Sequence, residues 1–263
     1  MIYIVCALSS EARVFIEHYG LKLSNTLPYP FFVGEEAMLI VSGIGRESAM
    51  VATAALLGYS RVSSNDLLLS VGICAAPKSY AIGSILVANR LLYEDRSRYP
   101  DILFRHSVQE VSLRTVDEPC SSDRSTAIDM ESFGIYCAAA RFLSANQLLF
   151  IKIVSDHFEP DSINKIVCEE LMRSSAKMVF ETVQSALSMV RSDFVFDEDE
   201  MRRLERLRSF FTKSQYDLLT DASSYFKLKN KKNLPDNIEL PTTKMHKKEK
   251  KELLERFLNQ LTS

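Results

Sequence analysis

The strongest constraint on this chain is a recurrence of short, continuously apolar runs, each followed by a stretch of helical spacing. Residues 3–7, 67–71 and 148–154 lack the apolar/polar alternation of a half-exposed strand. Each therefore reads as a strand buried on both faces. Between them, Phe15, Ile16 and Tyr19 recur at helical spacing behind Ser9 or Ser10 as a cap, with Glu11 in the favoured first turn. Residues 31–33 and 38–41 flank Gly34-Glu35-Glu36, a hairpin signal. Helices are expected over about 47–57, 131–143 and within 162–189, and further strands over 85–88, 108–116 and 126–129. Gly72 is expected to end the strand 67–71. This strand-then-helix order predicts a three-layer α/β/α fold around a central mixed, largely parallel sheet.

The 263 residues fall into two parts of different charge. Residues 201–263 hold 15 Lys+Arg against 8 Asp+Glu, whereas the rest hold 17 against 26. We expect a domain over 1–192 and a basic, mostly helical C-terminal extension over 193–263. In the extension, Asp197 caps a helix to about Phe211, a second helix covers 214–228, 230–243 is a loop, and 244–261 is a third helix. With 46% hydrophobic and 25% charged residues the chain is an ordinary globular one, not a disordered or collagen-like sequence. No apolar run is long enough to span a membrane. The apolar start has no basic flank and does not read as a signal peptide, so a cytoplasmic location is expected. Cys6, Cys74, Cys120, Cys137 and Cys168 are scattered without metal spacing and read as reduced thiols.

Four polar signals sit at strand ends, where layered α/β sheets collect ligands: residues 9–11, 42–46, 129–131 and 155–157. Asp156 follows the apolar run 148–154 and one serine. A carboxyl at the mouth of a buried strand is desolvated, which keeps a proton available for donation; the alternative is a helix-capping aspartate. Glu131 and Glu11 each open a helix, where they either accept from sugar hydroxyls or favour the helix N-terminus. Three converging carboxylates suit acid/base work on an uncharged, hydroxyl-rich ligand and suit a polyphosphate badly. Ser42-Gly43-Ile44-Gly45-Arg46 is not a full GxGxxG motif; it reads as an anion cradle involving Arg46, as a close approach to a sugar, or as plain turn geometry. His157 reads as a structural hydrogen-bonder and Cys74 as inert. No histidine pair has ligand spacing, so neither metal nor cofactor is expected.

Ser42-Gly43-Ile44-Gly45, Val71-Gly72-Ile73-Cys74-Ala75-Ala76, Ala127-Ile128-Asp129-Met130-Glu131-Ser132 and Val154-Ser155-Asp156-His157 occur in one order. Together they resemble the nucleoside phosphorylase/nucleosidase superfamily over roughly residues 1–189. That resemblance implies hydrolysis of the N-glycosidic bond of a purine nucleoside, of the methylthioadenosine/S-adenosylhomocysteine type or a related adenosyl or futalosine type. It makes Asp156 the acid that protonates N7 of the base and Ser155 the residue that positions it. Glu131 would grip the ribose hydroxyls, Met130 pack on the sugar face, and Gly72 and Ile73 contribute to the substrate wall. Glu11 would activate the attacking water. The resemblance also implies a homodimer.

A phosphorylase of this superfamily has an arginine where Ser70 stands and a phosphate-binding serine where Ile73 stands. Both departures, with the negative charge of Glu11, favour water over phosphate, and Arg46 and Arg13 are the remaining candidates for holding phosphate. Cys74-Ala75-Ala76 replaces a Gly-rich stretch, and residues 90–125 lack an aromatic base-binding segment. These departures also suit a lapsed site that binds nucleoside for regulation, but retention of all three carboxylates favours an enzyme. The lysine clusters at 227–232 and 244–251 are interspersed with acids and read as a solvated helical face rather than a nucleic-acid or protein surface.

Overall fold

In the computed structural model, residues 1–119, 125–192, 196–230, 232–235 and 247–262 are described. Cys120 lies outside them, as do most of the expected loop 230–243 and the start of 244–261. The chain forms two compact units, Met1–Arg191 and Ser192–Ser263.

Among the described residues the first unit carries ten strands. They are β1 (Ile2–Cys6), β2 (Lys22–Ser24), β3 (Phe31–Val33), β4 (Ala37–Val41), β5 (Leu67–Ala75), β6 (Ile85–Tyr93), β7 (Arg96–Arg98), β8 (Gln109–Thr115), β9 (Ala127–Asp129) and β10 (Leu148–Asp156). Its helices are α1 (Ser9–His18), α2 (Arg46–Tyr59), α3 (Ser132–Ala139) and α4 (Lys165–Ser192). The apolar runs are buried on both faces, as expected, and alternate residues feed opposite sides. From β1, Tyr3 and Val5 pack with α2 and α3, whereas Ile2, Ile4 and Cys6 pack with α1 and α4. Leu148, Phe150 and Val154 of β10 join the first side, and Leu149, Ile151 and Ile153 the second. Helices thus cover both faces of one mixed sheet, the expected layering.

The sheet has a feature that periodicity does not reveal. Strands β2, β3, β4, β1 and β5 lie side by side, and β5 then pairs with both β10 and β9. The path β10–β6–β8–β9 returns to β5, so this half of the sheet closes into a ring. Strands β4, β1, β5 and β10 are mutually parallel along their pairings and bring their carboxyl ends to one edge. β9 pairs antiparallel with the last residue of β5, Ala75 opposite Ile128, and delivers residues 129–131 to that same edge.

Several expected boundaries move, each for a local reason. β5 does not stop at Gly72 but runs to Ala75, because β10 pairs with it throughout. Neither Ser9 nor Ser10 caps α1: Leu8 holds that position, and the Glu11 carboxylate accepts its N–H at 2.9 Å. α3 begins after Glu131, which occupies the cap position, and ends at Ala139, short of Leu143. β6 extends past Ala88 to form a hairpin with β7, whose Arg-Ser-Arg sequence carries no strand signal.

The second unit contains α5 (Glu198–Arg208), α6 (Lys213–Asn230) and α7 (Lys247–Thr262) around their own core, which includes Leu204, Leu207, Leu219, Leu253 and Phe257. Asp197 caps α5 as expected, by accepting from the Glu200 N–H at 2.9 Å. The helix ends at Arg208, and Phe211 packs into the core from beyond it. Glu200 is buried and accepts from Lys227 Nζ and from the Leu234 N–H, so one carboxylate ties α5, α6 and the following segment together. Among the described residues no helix is long and apolar enough to cross a membrane.

α2 and α3 approach so closely that a Cβ on Gly134 would lie 2.1 Å from the Arg46 carbonyl oxygen. Gly134→Ala should therefore cost about 1–3 kcal/mol through overpacking, read as a lower urea midpoint with unchanged slope.

Candidate active site

Where the strand ends converge there is a cavity of about 240 Å³. Glu11, Ile73, Met130, Glu131, Ser155 and Asp156 all line it, so six of the eight residues singled out from the sequence meet in one place. The rest of its wall is mainly apolar, including Leu8, Ile44, Val116, Ile128 and Ile163, with Cys74 and Asp129 completing the inner end.

Glu11 stands on the first turn of α1 and is buried. Its Oε2 accepts from the Leu8 N–H and its Oε1 from the Ile73 N–H, each at 2.9 Å. Gly72 is not part of the wall; it makes room for this carboxylate. A Cβ there would stand 2.5 Å from Glu11 Oε1, so a larger residue would push this carboxylate away from its two backbone donors. Burial pushes the Glu11 carboxyl above the usual carboxylate range, against the pull of Lys152 and the backbone donors.

Glu131 follows β9. Its Oε1 accepts from the Gly45 N–H at 2.9 Å, and its Oε2 from the Met130 N–H at 3.3 Å. The glycine turn therefore spends an amide on a protein carboxylate. Gly45 has φ 104°, a left-handed value that suits glycine and aims that amide at the site. Arg46 does not reach the cavity. Its guanidinium lies 4.3 Å from the centroid of the Tyr93 ring and pairs with Asp117 and Glu47. Arg13 is likewise paired at the surface, with Glu17 and Glu169.

Asp156 ends β10 and is buried. Oδ1 accepts from the Glu159 N–H at 2.8 Å. Ser155 Oγ lies 2.7 Å from Oδ2 and 3.1 Å from the Cys74 carbonyl oxygen. One hydroxyl proton serves one acceptor at a time. Ser155 therefore donates either to Asp156 Oδ2 or to the Cys74 carbonyl, and the shorter distance is to Oδ2. His157 Nδ1 donates to the Ala76 carbonyl at 2.9 Å, the structural role expected for it. Cys74 is buried, which pushes its thiol up to about 12 and leaves it unreactive.

The residue missed from the sequence is Lys152. It lies within β10, fully enclosed, with Nζ 2.9 Å from Asp129 Oδ2. Asp129 also accepts from Thr115 Oγ1 at 2.7 Å and from the Ser132 N–H at 2.9 Å, which joins β8, β9, α3 and β10. Burial opposes ionisation of both partners. The attraction of Asp129, Glu131 and Glu11 nevertheless holds the lysine well above its ordinary pKa, and Lys152 with its neighbouring donors holds Asp129 low. A signal was present: a lone lysine in Leu-Leu-Phe-Ile-Lys-Ile-Val must find a buried partner or cost the strand its stability. Glu131 is pushed up to about 7 by burial, only partly offset by Lys152.

No protein-family model and no curated protein matches the sequence. Solved structures do match in fold. The 5′-methylthioadenosine/S-adenosylhomocysteine nucleosidase of Streptococcus pneumoniae superimposes with a TM-score of 0.60 at 19% identity, over 70% of this chain and 98% of that one. The futalosine hydrolase of Helicobacter pylori gives 0.57 at 18% identity, over 70% and 97%. The nucleosidase of Colwellia psychrerythraea, solved with adenine, gives 0.56 at 18%, over 72% and 95%. The chain thus has the nucleosidase fold that its motifs resemble.

Because Glu131 holds its proton more tightly folded than unfolded, the folded state loses stability as pH rises from about 4.5 through about 7. Glu131→Gln removes that loss. The variant should exceed wild type by on the order of 1–3 kcal/mol near pH 8, with the gain vanishing near pH 4, in urea titrations.

Proposed function

We propose that this protein hydrolyses the N-glycosidic bond of a purine nucleoside, releasing free base and sugar. The observation that carries the reading is the meeting of Glu11, Glu131 and Asp156, from three separate strand ends, on one small, mostly apolar cavity. In this reading Asp156 donates a proton to N7, so that the base departs neutral. Glu131 holds the ribose hydroxyls, Met130 packs against the sugar, and Glu11 orients and deprotonates the attacking water. Charge develops as an oxocarbenium-like sugar, and the buried carboxylates are already in place to stabilise it. The substrate class we favour is an adenosyl nucleoside of the methylthioadenosine or S-adenosylhomocysteine type, or a futalosine-type relative.

Water rather than phosphate is supported by where the cations are. Arg46 and Arg13 are paired away from the cavity. Ser70, at the position of a phosphorylase arginine, is buried within β5. Free base should therefore appear from a panel of methylthioadenosine, S-adenosylhomocysteine, inosine, adenosine and a futalosine-type nucleoside without added phosphate. Release only with phosphate would make the protein a phosphorylase, and stable binding without release would make it a nucleoside-binding protein. Asp156→Asn should lower kcat by about 10²- to 10⁴-fold while the variant melts like wild type. Retained turnover would remove Asp156 as the acid.

We further propose that the working form is a homodimer formed over α2. Ile44, in the turn before α2, and Val51, on α2, are each more than half exposed, and Ile44 also walls the cavity. A second copy covering these two side chains would bury both and narrow the cavity mouth. Val51→Glu should halve the mass found by light scattering; an unchanged dimer would move the interface elsewhere.

A further inference from the structure

Among the described residues two non-glycine positions have left-handed backbone, Glu94 and Phe158. Glu94 is explained by its place. It occupies the two-residue turn between β6 and β7, where Tyr93 pairs with Arg96, and tight hairpins require such torsions. Phe158 has φ 65° and belongs to no hairpin. A bulky side chain avoids this region because its Cβ crowds the following carbonyl. The Phe158 ring is also buried, so this is not a relaxed surface loop. Strain of this kind persists only where the surroundings enforce it.

The surroundings do enforce it, and they centre on Asp156. Immediately before it, Val154 pairs with Cys74 but Asp156 pairs with Ala75, so Ser155 is an extra residue that re-aims the strand end. Immediately after it, the chain is pinned to the end of β5. The Ala76 N–H donates to the Asp156 carbonyl at 3.0 Å, and His157 Nδ1 donates to the Ala76 carbonyl at 2.9 Å. On the far side Pro160 restricts Glu159 to extended backbone. Between these fixed points, the torsions of Phe158 orient the next peptide, whose N–H donates to Asp156 Oδ1 at 2.8 Å.

We propose that Phe158 is a positioning residue: its left-handed backbone turns the Glu159 N–H onto Asp156 Oδ1 and holds the carboxyl facing the cavity. The proposal rests on the reading of Asp156 as the proton donor. It does not require the phenyl ring to touch substrate. The ring anchors the turn, and the backbone torsion does the aiming.

Backbone aiming and ring packing predict opposite orders of substitution. Glycine and asparagine reach left-handed torsions readily, whereas valine resists them but keeps apolar bulk. Phe158→Gly and Phe158→Asn should keep kcat close to wild type, even with a lowered melting temperature. Phe158→Val should lose about 10- to 100-fold in kcat with little change in KM. An active Phe158→Val beside inactive or unfolded Gly and Asn variants would overturn the proposal in favour of packing, and so would a Phe158→Val loss that falls on KM rather than on kcat. Wild type and Asp156→Asn run in parallel separate this from the underlying reading. A wild type that releases no base, or an Asp156→Asn that does, removes the acid itself.

Discussion

One buried cation organises this site. Lys152 sits in the middle of an otherwise apolar strand, and an ammonium there is tolerable only because Asp129 meets it at 2.9 Å and Glu131 and Glu11 add their fields. The dependence runs both ways. Three carboxylates crowded at one sheet edge repel each other in a medium that screens poorly. Removing the lysine would leave them to neutralise by taking up protons or by moving apart. Asp129 is the structural partner, saturated by Thr115, Ser132 and Lys152, and it frees Glu11 and Glu131 to face the cavity.

Close backbone approach is the second requirement, and glycine supplies it at separate points. Gly72 lets β5 pass the Glu11 carboxylate, and Gly134 lets α3 rest against the first turn of α2. The second contact sets the distance across which the Gly45 N–H reaches Glu131. Packing, turn geometry and the charge cluster are therefore one arrangement. The anion cradle that the Ser-Gly-Ile-Gly turn suggests is used internally, on a carboxylate that belongs to the protein.

Much of the fold and site was legible in advance because buried strands and strand-end carboxylates leave local traces. The runs 3–7, 67–71 and 148–154 are apolar because helices cover both sheet faces, and Asp156 and Glu131 stand where such strands end. Gly72 drew attention through a motif, but its neighbour Glu11 is 61 positions away and no local pattern links them. Lys152 carried a signal, one charge in an apolar run, that asked for a partner without naming it. Leu8, not a serine, holds the cap position of α1, where the Glu11 carboxylate reaches back to its N–H.

The extension follows a simpler logic. Amphipathic spacing placed its helices, and Asp197 marked where the first begins, while the tie from Glu200 to Lys227 and Leu234 joins residues far apart in the chain. By itself, the sequence determined the layered α/β body, its main strands, the helical extension and the carboxylates at the strand ends. These depend on periodicity, capping and burial, which act over a few residues. Only the tertiary structure decided that half the sheet closes on itself, that Lys152 serves Asp129, and that Glu11 lies behind Gly72. Those are contacts between chain segments brought together by strand pairing, and their energies depend on distance and burial that no single stretch of sequence contains.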